Sequence, residues 1–205
     1  MKRRAISLLA VGLFTVAAWA QGSEWQIDQA HTTPAFTVRH MGISNVHGRF
    51  VKTGGSAIID DNDITKSSVN ATMDVNSINT GAEGRDNDLK SPNYFDAAQF
   101  PTITFKSKSV SKNGEGKLKV VGDLTIHGVT KEVTLDVDGP SPPLEQRGTK
   151  RRGLSATTTI NRKDFGIGAK TPAMVIGEEI KIDIDAELTQ KGAAPPAAPS
   201  GLTVK

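Results

Sequence analysis

Cysteine is absent from this 205-residue chain, and aromatic residues make up only 5% of it. Without cysteine the protein can form neither a disulfide framework nor a thiolate metal site. The sequence also contains no G-x-S-x-G motif and no phosphate-binding glycine loop, which are the usual signatures of a serine hydrolase and of a nucleotide-binding enzyme. Little in the sequence therefore points to catalysis.

Long apolar runs are also missing, except for one at the N-terminus. Residues 5–18 are mostly apolar, follow three cations at positions 2–4, and end in Ala-Trp-Ala at 18–20. The run is shorter than the roughly 20 apolar residues that a helix needs to cross a bilayer. A basic start, a short apolar segment and small residues at the cut are typical of a secretory signal peptide. We therefore expect cleavage after residue 20 and export, with no membrane span.

A surplus of positive charge is missing from the rest of the chain. The sequence has 25 basic and 22 acidic residues, and residues 1–20 hold three of the basic ones and no acid, which leaves 22 of each. A nucleic-acid-binding surface needs a surplus of lysine and arginine on one face, so we expect no nucleic-acid partner. The densest basic cluster, residues 150–152, is interpreted as part of a solvated loop.

Alternation of apolar and polar residues is the dominant pattern from residue 23 to residue 190. In residues 180–188, isoleucine, alanine and leucine alternate with lysine, aspartate and glutamate. Such alternation predicts strands with one buried and one solvated face. Turn-forming residues divide it into roughly eight to ten strands, as in a sandwich or barrel. Small inward residues such as Ala71 and Gly122 favour a barrel with a cavity; a barrel filled by its own side chains is the alternative.

Three segments depart from this alternation. Residues 82–98 predict a connection with one or two short helical turns. Residues 139–153, rich in proline and then basic, predict a long exposed loop. Residues 191–205 are rich in alanine and proline and are expected to be a disordered tail. The remainder, residues 21–190, is long enough to form one domain with its own core.

Five groups of residues follow one another along the predicted strands: W-Q-I-D-Q-A-H at 25–31, F-T-V-R-H-M-G at 36–42 with G-R-F at 48–50, F-D at 95–96 with F-P-T-I-T-F at 100–105, G-D-L-T-I-H-G-V-T at 122–130, and N-R-K-D-F-G-I at 161–167. In this order they resemble the YceI-like family of bacterial periplasmic proteins over residues 25–189. Residues 146–153 depart from the family, whose connection there is shorter.

This resemblance implies an all-β, lipocalin-like antiparallel barrel of about eight strands or slightly more, with a long apolar tunnel. It also implies a periplasmic, non-enzymatic protein that holds a polyisoprenoid chain, such as that of an isoprenoid quinone or a prenyl lipid. No further cofactor is then required. Transient contact with a membrane or a membrane protein is compatible with this role, and the oligomeric state is left open.

The candidate site residues fall into three groups. Eight on the inward stripes are predicted to line the tunnel: Phe36, Val38, Phe50, Met73, Leu124, Ile126, Ile182 and Ile184. Five are predicted at its entrance: Leu89, Tyr94, Phe95, Phe100 and Phe165. Four are candidates for contacting a polar head group: Arg39, Arg49, Arg85 and Arg162. Ordinary core packing is the alternative for the apolar residues, and a turn held by local hydrogen bonds and an ion pair is the alternative for the segment around Arg162.

Histidine offers the one opening for metal chemistry. His31, His40 and His47 are close in sequence, and three histidines can hold zinc with an open fourth position. Strand parity argues against this, because His40 is in phase with Phe36 whereas His47 is out of phase with Phe50. We therefore predict no metal site and no catalytic residue. A histidine-dependent metalloenzyme, and a structural or stress-response module that binds a partner protein, are the alternative hypotheses.

Overall fold

Most of residues 22–191 form β-strands, as the two-residue periodicity predicts. The computed structural model describes residues 22–191; the predicted signal peptide (1–20) and residues 192–205 of the predicted tail lie outside them. The strands are β1 (Ser23–Ile27), β2 (Thr33–His40), β3 (Ser44–Phe50), β4 (Thr53–Ile59), β5 (Ser68–Asp74), β6 (Ile78–Asn79), β7 (Thr102–Lys112), β8 (Lys117–Ile126), β9 (Val129–Asp138), β10 (Leu144–Gln146), β11 (Thr149–Asn161) and β12 (Ile176–Lys191). The helical elements in this range are α1 (Glu83–Lys90) and four 3₁₀ turns, at Gln29–His31, Ile64–Lys66, Val75–Ser77 and Arg162–Phe165.

The strands of residues 22–191 form one antiparallel sheet that closes on itself. Around the ring the order is β11-β9-β8-β7-β5-β4-β1-β12, and the pairing of β12 with β11 along the whole of β11 closes it. β1 and β2 lie end to end along the other edge of β12, and β3 and β6 continue the sheet from β2. The prediction of an all-β antiparallel barrel is confirmed, with eight strands closing the ring and the others extending it.

The alternation of buried and more exposed residues is clearest in β8. Leu118, Val120, Gly122, Leu124 and Ile126 are buried, and the residues that alternate with them are exposed or half-buried. Successive side chains of a strand point to opposite faces, so each strand contributes one apolar face to the interior. These faces meet in one main hydrophobic core inside the barrel.

The connections at one end of the barrel are joined by hydrogen bonds. This end carries α1 and is called the α1 end; the opposite end carries β10 and is called the β10 end. At the α1 end Met41 N donates to Val175 O (2.9 Å), and Gly168 N donates to Asn93 O (3.1 Å). The short helical insert predicted near residues 82–98 is confirmed by α1. No helix within residues 22–191 combines the length and the hydropathy that a membrane crossing requires.

Residues 139–153 are not the long exposed loop that their composition predicts. β10 and the start of β11 pair as a hairpin, and Arg152 is buried on β11. Its guanidinium lies 4.9 Å from the centre of the Trp25 ring, and its Nη2 donates to both carboxylate oxygens of Asp61 at 2.7 Å. A buried guanidinium needs such partners. Because they come from β1 and from the β4–β5 connection, the local sequence could not indicate this burial.

Gly122 shows that a small inward residue does not always leave space. It is buried on β8 opposite Ser107 of β7, and the ring of Phe105, two residues earlier on β7, lies over it. A Cβ atom at Gly122 would come within 2.5 Å of Phe105 Cζ and 2.6 Å of Lys106 O. The aromatic ring of the neighbouring strand therefore occupies the place of the missing side chain.

We expect Gly122→Ala to lower the free energy of unfolding by about 1–3 kcal/mol, because the methyl group overpacks a filled site. Gly84→Ala is the matched control: Gly84 lies in α1 with no atom within 4 Å of the added Cβ, and alanine in a helix is more stable than glycine by about 0.5–1 kcal/mol. Urea denaturation of both variants measures the difference. Similar free energies of unfolding for the two variants would contradict this account.

Candidate functional site

A cavity of about 550 Å³ occupies the interior of the barrel. Its wall includes Val175 and Ile176 at the α1 end, and Ile59, Ile64 and Pro140 toward the β10 end. Between them the wall is formed by inward aliphatic and aromatic side chains of the barrel strands. Ligand sites in proteins typically measure about 300–1,000 Å³ and are mostly apolar, so this cavity has the size and character of a binding site for an apolar molecule.

The structure places all eight residues of the predicted tunnel lining on the wall of this cavity. Phe50, Leu124 and Ile126 are buried, whereas Phe36 and Val38 on β2 are half-buried. The same residues, except Val38, also pack in the main core, so lining and packing are not exclusive roles. Contact of these side chains with a bound ligand stays a prediction.

Several wall residues were not among those eight. They lie on β5, β7, β9, β11 and β12: Ala71, Ile103, Val133, Leu135, Ala156, Thr158, Ile160 and Ala186. Their signal was present in the sequence, because each belongs to an alternating stripe. Small residues among them widen the cavity, since their short side chains leave the barrel axis open.

Three of the five predicted entrance residues, Leu89, Tyr94 and Phe95, lie on the cavity wall at the α1 end. Phe95 contacts Phe50 edge-on, with ring centroids 5.8 Å apart, and Phe50 contacts Phe36 at 6.0 Å. A row of aromatic rings thus connects the segment after α1 with β2. These edge-on and tilted ring contacts fix the position of this segment over the cavity.

Phe100 and Phe165 do not lie on the cavity wall, which corrects their prediction as entrance residues. Phe100 packs edge-on against the imidazole of His127, with centroids 4.8 Å apart, and lies over Gly128. Phe165 is 2% exposed and packs in the main core. Both rings close the α1 end through contacts with the β8–β9 turn and the core, and these contacts are between segments distant in sequence.

Two of the four candidate arginines, Arg39 and Arg85, are exposed and border the cavity at the α1 end. Arg39 donates from Nε and Nη2 to Gly42 O, and Arg85 donates from Nε and Nη2 to Thr80. Arg49 lies off the wall, because its neighbours on β3, Gly48 and Phe50, point inward and its own side chain points out. This placement does not support the predicted head-group contact by Arg49.

Arg162 is also not a head-group contact, because its guanidinium is fully used within the protein. It is 2% exposed. Its Nε, Nη1 and Nη2 donate at 2.6–3.0 Å to five backbone carbonyl oxygens, those of Ile167, Gly168, Thr171, Ile176 and Gly177. A guanidinium has five N–H donors, so none is left for a ligand. Arg162 instead holds the connection between β11 and β12 in place.

The turn at residues 161–164 has the local hydrogen bonds that were predicted, but its ion pair has other partners. Asn161 caps it, since Asn161 Oδ1 accepts a hydrogen bond from Lys163 N (2.9 Å). The ion pair in this region is formed by Lys163 with Glu178 at 2.8 Å, rather than by Arg162 with Asp164. The hydrogen bonds from Lys163 and Asn161 lower the pKa of Glu178.

The three histidines of the zinc hypothesis do not converge. His31 contacts Asp28 (Nδ1 to Oδ2, 3.0 Å) before β2, and His47 on β3 contacts Thr37 Oγ1 (3.0 Å). His40 ends β2 and borders the cavity at the α1 end. Eight residues of extended β2 separate His31 from His40 by roughly 20 Å or more, so these imidazoles cannot share one metal ion.

His31 belongs instead to an ionic cluster on the outside of the barrel. Arg151 Nη1 lies 3.1 Å from Asp28 Oδ2 and 3.2 Å from Glu187 Oε2. Asp28, His31 and Glu187 are close enough to hold a metal ion, but the guanidinium of Arg151 occupies the oxygens that would bind it. The hydrogen bond between His31 and Asp28 raises the pKa of His31, helped by Glu187, and lowers the pKa of Asp28.

This cluster makes stability depend on pH in a defined direction. Because the folded pKa of His31 is raised, its contribution is complete below the unfolded pKa of about 6.5 and is lost as the pH rises through the folded pKa. We therefore expect His31→Gln to lower the Tm at about pH 5.5 and to match the wild type at about pH 8.5. Thermal unfolding across this pH range tests the prediction. A Tm difference between wild type and variant that grows as the pH rises would contradict it.

The described residues thus form an eight-stranded antiparallel barrel around an apolar cavity, and barrels of about eight strands have room inside for side chains or for one small ligand. A sequence profile described as the YceI-like domain matches residues 25–188. The chain belongs to the YceI-like family.

Its relatives cover nearly the same length. A UPF0312 protein of Staphylococcus aureus is 37% identical over 174 residues, which are 82% of this chain and 98% of the relative. A UPF0312 protein of Vibrio parahaemolyticus is 35% identical over 182 residues, 86% of this chain and 96% of the relative. The match therefore extends over the whole barrel.

Solved structures share the fold. The Campylobacter jejuni YCEI protein has a TM-score of 0.68 and 30% identity, with 75% of this chain and 90% of that chain covered. A polyisoprenoid binding domain from Saccharophagus degradans, implicated in plant cell wall breakdown, has a TM-score of 0.61 and 18% identity, with 82% and 98% covered. At 18% identity the second likeness is one of fold alone.

Proposed function

We propose that this protein is a non-enzymatic carrier that holds one polyisoprenoid chain, of an isoprenoid quinone or a prenyl lipid, inside the barrel. The observation that supports it is the cavity of about 550 Å³ with its apolar wall. A prenyl chain has almost no hydrogen-bonding capacity, so its binding site needs apolar surface and few polar groups. The solved polyisoprenoid binding domain that shares this fold is a precedent for such a ligand.

The energetics of such a complex are favourable. Each CH₂ group removed from water contributes roughly 0.8 kcal/mol, so a chain of about twenty carbons contributes on the order of 15 kcal/mol before costs. Ordering the chain and losing its translational freedom remove a large part of this sum. Tight binding then requires no charged contact along the tunnel.

The polar end of the ligand belongs at the α1 end. Arg39, His40, Arg85 and Asp88 border the cavity there, while the wall toward the β10 end is formed mainly by aliphatic side chains. A guanidinium can donate two hydrogen bonds to a phosphate or a quinone carbonyl group. Arg39 and Arg85 are therefore the two groups proposed to contact the head group.

The proposed location is the periplasm, reached through removal of residues 1–20. Native mass spectrometry of protein isolated from its own cells, followed by organic extraction, tests location and cargo together. The expected polypeptide mass is that of a chain beginning at Gln21, with one prenyl lipid bound. A polypeptide without adduct, which also takes up no isoprenoid quinone or prenyl phosphate on titration, would reject the carrier function, and an intact N-terminus would reject the export.

A further inference from the structure

Three large apolar side chains project from the α1 end into solvent. Met41, Ile43 and Met174 are 54%, 80% and 79% exposed; together they are called the apolar tip. Their two segments touch, because Met41 N donates to Val175 O at 2.9 Å. Exposed side chains of this size cost solvation free energy when they stay in water, so a surface that covers them is expected.

The apolar tip borders the mouth of the cavity. Met41 directly follows Arg39 and His40, and Met174 directly precedes Val175 and Ile176. All four of these neighbouring residues lie on the cavity wall. An apolar molecule that leaves the cavity at the α1 end therefore passes beside the tip.

The two segments that carry the apolar tip contain basic side chains and no acidic ones. Residues 39–45 and 168–176 contain Arg39, His40 and Lys170 and no carboxylate side chain. The next acids along the chain are Glu178, which is paired with Lys163 at 2.8 Å, and the exposed Glu179. Apolar side chains flanked by cations are the combination that binds anionic membrane surfaces.

The tip is also held in its exposed position by the backbone beneath it. Ile43 N donates to His40 O (3.1 Å), and Arg39 donates twice to Gly42 O, at 3.1 and 2.9 Å. Little conformational entropy is then lost when the tip meets a partner.

We propose that the apolar tip docks the mouth of the cavity onto an anionic phospholipid bilayer, so that the ligand moves between membrane and barrel without crossing water. This rests on the proposed carrier function. A bilayer suits the tip better than a protein does, because three side chains fall far short of the roughly 800 Å² per partner that a stable protein interface buries. Such a tip can insert into the interface between head groups and acyl chains.

Co-sedimentation with vesicles of phosphatidylethanolamine and phosphatidylglycerol tests the docking. The variant Met41→Ser/Ile43→Ser/Met174→Ser is expected to bind them about tenfold or more weakly than the wild type. Leu144→Ser is the matched control, because Leu144 is 65% exposed at the β10 end, and it should bind like the wild type. Vesicles of phosphatidylcholine alone should bind the wild type more weakly, because they lack the anionic charge.

Ligand uptake separates this inference from the carrier function on which it rests. The triple variant is expected to take up an isoprenoid quinone from detergent micelles normally and from the same vesicles more slowly. Unchanged vesicle binding by the triple variant would overturn the docking proposal. A wild type that does not bind vesicles but self-associates through the apolar tip would also overturn it. Failure of all forms to take up quinone from micelles would reject the carrier function, while vesicle binding would still decide the docking. If the triple variant is unstable, the single variant Ile43→Asp replaces it in both experiments.

Discussion

Arg162→Leu is expected to lower the free energy of unfolding by at least about 4 kcal/mol, among the largest effects of a single substitution. Hydrogen bonds to a charged group contribute about 1.5–3 kcal/mol each, and Arg162 donates five to buried or half-buried backbone carbonyl groups. For a domain of this size, the Tm should fall by about 10 °C. Differential scanning calorimetry measures both quantities.

The control for Arg162 is Arg49→Leu, at an exposed position on the outer face of β3, which should change stability by less than about 0.5 kcal/mol. Arg162→Lys keeps the charge but has only three donors, so its stability should fall between those of the wild type and Arg162→Leu. If Arg162 contacts a head group instead, Arg162→Leu will lose ligand affinity and keep the wild-type Tm.

Ala71→Phe is expected to reduce the retention of a long prenyl lipid about tenfold or more. Ala71 lies on the cavity wall in the middle of β5, beside Phe105 and Gly55 in the sheet. A phenyl ring at this position projects into the cavity and divides it, so that about half of the chain's CH₂ groups lose their contacts. Extraction of the purified protein, followed by mass spectrometry of the lipid, measures the retained amount.

Thr72→Phe is the matched control, because Thr72, the next residue of the strand, points to solvent. It adds a ring to the outer surface and should retain as much lipid as the wild type. Equal retention by the two variants would show that the lipid binds outside the barrel. A prenyl lipid of shorter chain should be affected less by Ala71→Phe, since it needs only part of the cavity.

The histidine and arginine residues show where sequence reasoning stops. Strand parity already separated His40 from His47, and the structure places His31 in an ionic cluster with Arg151, in a different part of the molecule. Parity likewise could have excluded Arg49, which lies between the inward Gly48 and Phe50. The burial of Arg162 could not be predicted by parity. All five of its hydrogen-bond acceptors lie within the next 15 residues, in an irregular connection that has no periodic sequence pattern.

The sequence by itself determined the inward and outward faces of the strands, and with them the apolar wall of the cavity. The physical reason is local: successive side chains of a strand point to opposite sides, so alternation is readable without knowledge of the neighbours. Only the tertiary structure decided that Arg152 and Arg162 are buried, that Phe105 fills the space over Gly122, and which end of the barrel carries the exposed apolar tip. Each of these depends on contacts between groups that the periodic pattern does not place together, and those contacts form only when the strands and connections fold against one another.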